Sequence, residues 1–180
     1  MNPIDEIVNL FATRGNAEYL GEPVSQKEHA LQCADLAVRN SAPDALVAAA
    51  LLHDIGHLLP CETINPRGED RVHEEIAAAW LQPYFGPEVT EPIRLHVIAK
   101  RYLCSVEPSY YSRLSQPSID TLGLQGGLLS SAEAKEFKKH PHFESALRVR
   151  IWDEAAKEPG KAVPGVPSYL ALLRRLTTRD

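Results

Sequence analysis

Cysteine is scarce in this chain, and its few positions form no recognisable disulfide or metal pattern. The 180 residues contain three cysteines, Cys33, Cys61 and Cys104, and no two of them have CxxC spacing. A disulfide-rich secreted domain needs an even set of cysteines, and a zinc ribbon needs closely spaced pairs. The cysteine content therefore argues against both classes.

Long apolar runs and an excess of positive charge are also missing. No run reaches the roughly 18 apolar residues of a membrane helix. The first residues, MNPIDEIVNLF, lack the basic start and apolar stretch of a secretion signal. The net charge of −5 disfavours general binding to nucleic acid. We therefore expect a cytoplasmic protein without a membrane or nucleic-acid partner, although a pocket of opposite local charge could still bind a small anion.

The residues that are present follow a helical pattern. Hydrophobic residues make up 44% of the chain and charged residues 24%, which is ordinary for a globular protein of one domain. Apolar residues recur at helical spacing, and two capping boxes, Ser25 with Glu28 and Ser130 with Glu133, indicate helix starts. The pattern predicts an all-α protein, a compact helical bundle that forms a single domain over residues 1–180.

Two segments rich in proline, glycine and polar residues are predicted to be loops. Residues 158–167 should link the final helix, at about 167–176, to the body of the domain. Residues 59–70 follow the stretch ALLHDIGH and could form a flap beside it. A helix should start near Asp70, and the next helix should be irregular at Pro92.

Histidines and aspartates form the most informative pattern. Five of the seven histidines lie singly on separate predicted helices or at their ends: His29, His53, His57, His73 and His96. One such histidine alone is typical of a hydrogen-bonded core residue, but five together favour metal binding. Asp54 directly follows His53, and one carboxylate can bridge two cations about 3.5–4 Å apart. Asp153 could return to this site or be an exposed helix carboxylate, and Gly56 should end the helix that carries His53.

A second pattern suits an anion. Lys100 follows His96 by four residues, so both lie on one helix face, and Lys100 could approach an anion on a metal bound by His96. The alternative is an ordinary surface lysine. Ser118, Thr121 and Gln125 fall on one helical stripe and offer neutral hydrogen-bonding groups to phosphate or phosphonate oxygens. Ser118 could instead be a simple helix N-cap.

The chain resembles the HD-domain superfamily of helical metal-dependent proteins. Four residues match its H…HD…D pattern: His29, His53, Asp54 and Asp153. Six longer blocks are similar to the small HD-domain mixed-valence di-iron oxygenases of aminophosphonate breakdown, the PhnZ-like family: EYLGEPVSQKEHALQCA, LLHDIGH, HEEIAAAWL, HVIAKRYL, SIDTLGLQGG and RIWDEAAK. The blocks run from about Glu18 to Lys157, and YLGE, AKRY and TLGLQGG are not general features of HD domains.

The resemblance implies a centre of two iron ions, Fe(II) and Fe(III), with O2 as co-substrate. One set of residues would hold the first iron: His29, His53, Asp54 and Asp153. Another set, which shares the bridging aspartate, would hold the second: Asp54, His73 and His96. The family's substrate-binding residues match a further set: Tyr19, Glu22, His57, Lys100, Ser118, Thr121 and Gln125. Within it, Glu22 would face a substrate amine, Tyr19 would gate an open iron position, and both Tyr19 and His57 would act beside the reacting atoms.

The implied activity is an O2-dependent cleavage of the C–P bond. The substrate would be of the 2-amino-1-hydroxyethylphosphonate type, as the free amine or N-methylated. The products would be phosphate and glycine, or an N-methylated glycine such as glycine betaine. We favour the primary amine, because an ammonium can donate hydrogen bonds to Glu22, but a trimethylammonium group would also be attracted by a carboxylate and aromatic rings.

Two alternative functions stay open at this point. An HD-domain phosphohydrolase would use the same metals to activate water against a nucleotide or a small phosphate ester. A non-catalytic metal-binding protein would leave the anion-binding side chains without a purpose. Either way, we expect a monomer or a small homo-oligomer.

Overall fold

The computed structural model describes residues 2–60 and 73–178, and helices dominate them. Within these described residues, ten α-helices follow one another: α1 (Pro3–Thr13), α2 (Gln26–Arg39), α3 (Asp44–Leu52), α4 (His73–Leu81), α5 (Pro87–Val106), α6 (Pro108–Tyr111), α7 (Gln116–Leu124), α8 (Ser131–Phe137), α9 (Phe143–Ala155) and α10 (Leu170–Leu176). The described part of the chain also contains 3₁₀ segments at Ile55–Leu58 and Val166–Tyr169. Extended pairing in this part of the chain is limited to two isolated bridges. The prediction of an all-α fold is confirmed.

The centre of the bundle is α3. Its sequence, DALVAAALL, has apolar residues on every side, and the seven residues from Leu46 to Leu52 are all buried. A helix that is apolar all round must be enclosed by neighbours. Here α2, α5, α9 and α10 pack around it. The three consecutive alanines, 48–50, have small side chains, which let these neighbours approach closely.

The longest helix, α5, spans 20 residues and contacts α3, α4 and α9. It runs without interruption through Pro92, where the sequence predicted an irregularity. Proline lacks a backbone N–H, so the helix loses one bond in its second turn. The packing of α5 against three other helices is sufficient to keep it continuous.

The last part of the chain closes the bundle. Residues 156–165 contain no helix or strand, and the following 3₁₀ segment leads into α10, which packs against α3 and α1. The predicted linker and final helix are therefore both found. The predicted flap and the helix start near Asp70 fall mainly on residues 61–72, outside the described residues. Among the described helices, none is long and apolar enough to cross a membrane.

Candidate metal centre and substrate pocket

Five elements bring the predicted metal ligands together in the interior. α2 contributes His29, the turn after α3 contributes His53 and Asp54, and α9 contributes Asp153. The first residue of α4 is His73, and α5 carries His96. These six side chains are all buried. Residues separated by more than a hundred positions in the chain thus meet at one point.

The chain geometry after α3 explains how two adjacent residues reach the same site. The helix ends at Leu52, and Asp54 has φ −103° and ψ 11°, which lies outside the helical region. Gly56 is not the helix stop that the sequence suggested. A Cβ at Gly56 would lie 2.2 Å from the carbonyl oxygen of His73. Glycine is therefore needed here because the start of α4 approaches the backbone closely.

The carboxylate of Asp54 lies between two pairs of imidazoles. Its Oδ2 is 3.6 Å from Nε2 of His29 and 3.3 Å from Nε2 of His53. Its Oδ1 is 3.2 Å from Nε2 of His73 and 3.5 Å from Nε2 of His96. Each oxygen thus faces one pair, which is the arrangement that a carboxylate bridging two metal ions requires.

Backbone carbonyls fix the orientation of three of these rings. The Nδ1 atoms lie within hydrogen-bonding distance of carbonyl oxygens: His29 with Ala156 at 3.0 Å, His53 with Ala50 at 2.9 Å and His96 with Ile93 at 2.7 Å. A carbonyl only accepts, so Nδ1 carries the proton and a neutral ring turns the lone pair of Nε2 toward the centre. In metal-bound histidines, the ring nitrogen that does not bind the metal typically donates a hydrogen bond of this kind.

The spacing between the Nε2 atoms fits a bound cation. Nε2 of His29 and Nε2 of His53 are only 3.2 Å apart. Two lone pairs at this distance repel each other unless a proton or a metal ion lies near both. Burial lowers the pKa of His53, but Asp54 outweighs burial and the pKa is raised. The surroundings of the first pair therefore stabilise a positive charge, which a bound metal ion could supply.

In the second pair, the imidazole of His96 is in the uncharged form that can bind a metal ion. Nε2 of His73 and Nε2 of His96 are 3.1 Å apart. Burial lowers the pKa of His96 to about 3, so this ring is neutral at physiological pH. Neutral imidazole is the form that binds divalent metals.

Both aspartates of the centre are ionised. Burial raises the pKa of Asp54, but His53 and His73 outweigh it and hold the pKa well below its usual range. Asp153 behaves similarly, because Arg150 overcomes the effect of burial. The Oδ1 atom of Asp153 is 3.4 Å from Nε2 of His29. Two carboxylates among imidazoles make a strongly cation-attracting site.

Arg150 holds Asp153 in place, although it was not among the site residues predicted from the sequence. Its guanidinium forms ion pairs with Oδ2 of Asp153 and with Glu154, and its Nε donates to the hydroxyl of Tyr110 at 2.6 Å. Arg150 is buried, with 4% of its surface exposed. The spacing i, i+3 and i, i+4 in RIWDE was the available signal, since residues at these distances share a helix face.

Cys33 is a second neighbour that the sequence argument missed. It lies one helical turn after His29, with Sγ 3.8 Å from Nε2 of that residue. Donor atoms of Cys33, His29 and His53 all lie within 4.8 Å of one another, as do those of a second group: Asp54, His73 and His96. Burial raises the pKa of the Cys33 thiol well above its usual value. Cys33 is thus a buried neighbour of the centre that offers a third donor atom beside His29 and His53.

A pocket opens beside the metal centre. All seven predicted substrate-binding residues line it: Tyr19, Glu22, His57, Lys100, Ser118, Thr121 and Gln125. Charged and polar groups line the pocket on several sides.

Lys100 forms one corner of the pocket with the end of α7. Its Nζ donates to Oγ1 of Thr121 at 2.7 Å and to Oε1 of Gln125 at 3.0 Å. Only 3% of Lys100 is exposed, and burial lowers its pKa to about 8. The surface-lysine alternative is therefore wrong. A buried cation with neutral hydrogen-bonding partners is suited to an anion.

Ser118 differs from the other members of the predicted stripe. It is not the N-cap of α7, because Ser115 has that role and accepts a hydrogen bond from the backbone N–H of Ser118. The hydroxyl of Ser118 donates to Oε2 of Glu154 at 2.8 Å and lies 2.9 Å from Nζ of Lys157. Ser118 thus belongs to a network with α9, apart from the Lys100 corner.

Tyr19 and His57 contact the metal centre from two sides. The ring of Tyr19 stacks on His29 at 3.9 Å between centroids, and its hydroxyl donates to Oδ1 of Asp153 at 3.3 Å. Burial raises the pKa of Tyr19 well above its usual value, so the hydroxyl keeps its proton. The ring of His57 stacks on His73 at 4.2 Å. Both residues therefore contact the ligand set and also line the pocket.

Glu22 lines the same pocket and already has a cationic partner. Its Oε1 is 2.8 Å from Nζ of Lys157 and accepts a hydrogen bond from Oγ of Ser115 at 2.5 Å. Lys157 was not among the site residues predicted from the sequence. Glu22 and Lys157 are 135 positions apart in the sequence, so no local sequence pattern indicates that they are in contact.

Comparison with known proteins agrees with this geometry. The model of the HD domain matches residues 27–122. The [1-hydroxy-2-(trimethylamino)ethyl]phosphonate dioxygenase (glycine-betaine-forming) of Leisingera caerulea is 40% identical over 99% of this chain and 92% of its own length. The hydroxymethylphosphonate dioxygenase of Gimesia maris is 44% identical over 92% of this chain and 84% of its own length.

The helical fold, the histidine and aspartate cluster and these matches define the class: the chain belongs to the HD-domain family. Within that family it is a member of the PhnZ-like branch, to which its similarity to the two dioxygenases assigns it. The resemblance drawn from the sequence blocks is therefore confirmed.

Proposed function

We propose that this protein is a metal-dependent dioxygenase that uses O2 to cleave the C–P bond of a 1-hydroxyalkylphosphonate. Substrates of the 2-amino-1-hydroxyethylphosphonate type, free or N-methylated, would give phosphate and glycine or an N-methylated glycine such as glycine betaine. The name of the Gimesia maris relative adds hydroxymethylphosphonate to the substrates to be tested. In each case R–CH(OH)–PO3H2 and O2 become R–COOH and H3PO4, so all atoms balance without an external reductant.

One observation carries this proposal. A carboxylate that faces two pairs of imidazoles, Asp54, lies in the same pocket as a buried lysine with hydrogen-bonding partners, Lys100. The first feature suits two metal ions, and the second suits a phosphonate next to them. A protein that merely stored metal would need no anion-binding corner beside it.

The proposed metal is iron, at two positions. His29, His53, Asp54 and Asp153 would hold one ion, and Asp54, His73 and His96 would hold the other. This nitrogen and oxygen donor set suits redox-active first-row metals, and the buried ionised aspartates offset their charge. When bound as Fe(II) and Fe(III), the pair supplies the binding and reduction of O2.

The side chains of the pocket would bind and orient the substrate. The ammonium of Lys100 would offset the phosphonate charge, with Thr121 and Gln125 beside it for hydrogen bonds. Tyr19 and His57, which stack on ligand rings, would exclude water and direct the reacting carbon toward the centre. Glu22 would accept a cationic group on the substrate arm, which is the part of the substrate (R) attached to the hydroxyl-bearing carbon.

Reconstitution tests the proposal directly. The metal-free protein is loaded with Fe(II) without air, partly oxidised, and then given hydroxymethylphosphonate or 2-amino-1-hydroxyethylphosphonate with O2. We expect about two metals per chain, with O2 uptake and phosphate release in equal amounts. Asp54→Asn should abolish both signals, whereas Asp120→Asn, a change at an exposed aspartate of α7, should leave them intact. Phosphate release from esters without O2 uptake would instead establish a phosphohydrolase.

Three broader features complete the proposal. We treat residues 1–180 as one HD domain, which is supported by the packing of α10 against α3 and α1. A cytoplasmic location and a monomer or small homo-oligomer remain the expected setting. Size-exclusion chromatography with light scattering measures the oligomeric state.

A further inference from the structure

Lys157 is a partly buried cation at the edge of the pocket. It follows α9, and only 11% of its side chain is exposed. Its Nζ lies 2.8 Å from Glu22 Oε1, 2.9 Å from the hydroxyls of Ser115 and Ser118, and 3.1 Å from Glu154 Oε2. Four partners hold the ammonium in one place, so it is a fixed part of the pocket wall.

Glu22 is fixed just as firmly on the opposite side of this contact. It belongs to a tight turn in which Leu20 has φ 45° and Gly21 has φ 81°, and its N–H donates to the carbonyl of Tyr19 at 2.7 Å. Its exposed fraction is 8%. The carboxylate therefore has little freedom to leave Lys157 and turn to another cation.

The other cations of the pocket have different partners. Arg150 pairs with Asp153 and Glu154, and Lys100 donates to Thr121 and Gln125. Among the ion pairs of the described residues, the one that Glu22 forms is with Lys157. A substrate with a cationic arm would have to share or displace this lysine, whereas an uncharged arm would not.

We propose that Lys157 is a specificity-determining residue, which competes with a cationic substrate arm for Glu22 and so shifts the preference toward 1-hydroxyalkylphosphonates with an uncharged arm. The proposal rests on the proposed function, because it assumes that the pocket binds phosphonates. The proposal concerns only how the substrate arm is recognised. The roles proposed for the metal ligands and for Lys100, Thr121 and Gln125 stay the same.

A pair of inert phosphonates isolates the effect of the arm. In 2-aminoethylphosphonate the arm ends in an ammonium, and in propylphosphonate a methyl group takes its place. Calorimetric titration of the metal-loaded protein gives the affinity ratio of the first ligand over the second. In Lys157→Met we expect this ratio to rise about tenfold, which is the scale of one charge-assisted hydrogen bond. Lys161→Met removes another lysine that pairs with a glutamate three residues earlier, Glu158, and should not change the ratio.

A second variant distinguishes competition from simple charge repulsion. In the Glu22→Gln background, Lys157→Met should leave the ratio nearly unchanged, because the shared carboxylate is gone. A rise of equal size in that background would show repulsion by Lys157 alone and overturn the proposal, as would an unchanged ratio in the single variant. If neither phosphonate binds the unaltered protein, the proposed function fails together with this inference. Binding of both without the shift refutes only the inference.

Discussion

Replacement of Arg150 by methionine tests how the metal centre is held together. Methionine has a similar length but no charge, so Arg150→Met removes the cation that pairs with Asp153 and Glu154. It also leaves the hydroxyl of Tyr110 without its donor. Both Arg150 and Asp153 are buried, so water cannot easily replace the lost contacts.

The expected loss of stability is large. Removal of one partner from a buried ion pair typically costs about 3–5 kcal/mol, because the other charge stays buried without compensation. The total free energy of unfolding of a domain is only about 5–15 kcal/mol. The metal-free variant should therefore lose a large part of its stability. Bound metal would offset the charge of Asp153, so the metal-loaded variant should lose clearly less.

Urea denaturation of metal-free and metal-loaded protein measures both losses. Arg148→Met is the matched control, since this arginine lies two positions earlier on α9 and contacts Trp152 at 5.0 Å through its guanidinium. A cation–π contact of this kind contributes about 0.5–1 kcal/mol at an exposed site. A loss for metal-free Arg150→Met no greater than that of the control would refute the argument, as would an equal loss with and without metal.

Three further predictions address the two ions, the anion corner and the backbone. Asp54→Asn should reduce bound metal from about two per chain to fewer than one, because a neutral amide bridges cations poorly; mass spectrometry of the dialysed protein checks this, and full occupancy would contradict the bridge. Burial lowers the pKa of Lys100 to about 8, so its ammonium is present below that pH and lost as the pH rises through it. The affinity advantage of the unaltered protein over Lys100→Met for propylphosphonate should therefore shrink between about pH 7 and pH 9; a constant advantage would exclude this role. Gly56→Ala should lower metal content in elemental analysis by displacing His73, whose carbonyl oxygen would lie 2.2 Å from the new Cβ; normal metal content would show that the backbone adjusts.

The sequence was informative where the signal is local or belongs to the family. Apolar periodicity and the capping boxes at Ser25 and Ser130 predicted helices that the structure contains. The prediction that the chain is a phosphonate-cleaving oxygenase is confirmed for its branch by the relatives. The ligand roles remain proposals, although the structure places His29, His53 and the other predicted ligands around one carboxylate.

The sequence was least informative about contacts between distant segments. The pairing of Glu22 with Lys157 depends on how the turn before α2 meets the end of α9. Helical spacing indicates which residues share a face, but not which face of another element they meet. For the same reason Ser118 was assigned to the phosphonate stripe, and its bond to Glu154 was not foreseen.

The helix end near the metal centre shows a different limit. The glycine at position 56 suggested a stop, since glycine commonly ends helices. The helix instead ends at Leu52, and the glycine accommodates the backbone of His73. A glycine can be required because the backbone turns at that position or because another segment packs against it. The sequence shows the same residue in both cases, so it could not distinguish them.

The position of Asp54 between two pairs of imidazoles affects how the protein would load its metal ions in the cell. An ion bound on one side would orient the carboxylate for the other side, so the two occupancies are thermodynamically linked. Such positive linkage disfavours the half-loaded form, so under metal scarcity the chains would divide between a metal-free form and a fully loaded form. Only the loaded form gains the stabilisation that ligands give to a native state, and we expect the metal-free chains to be degraded preferentially. Metal supply would then control how many copies of the protein exist as well as how fast each copy works.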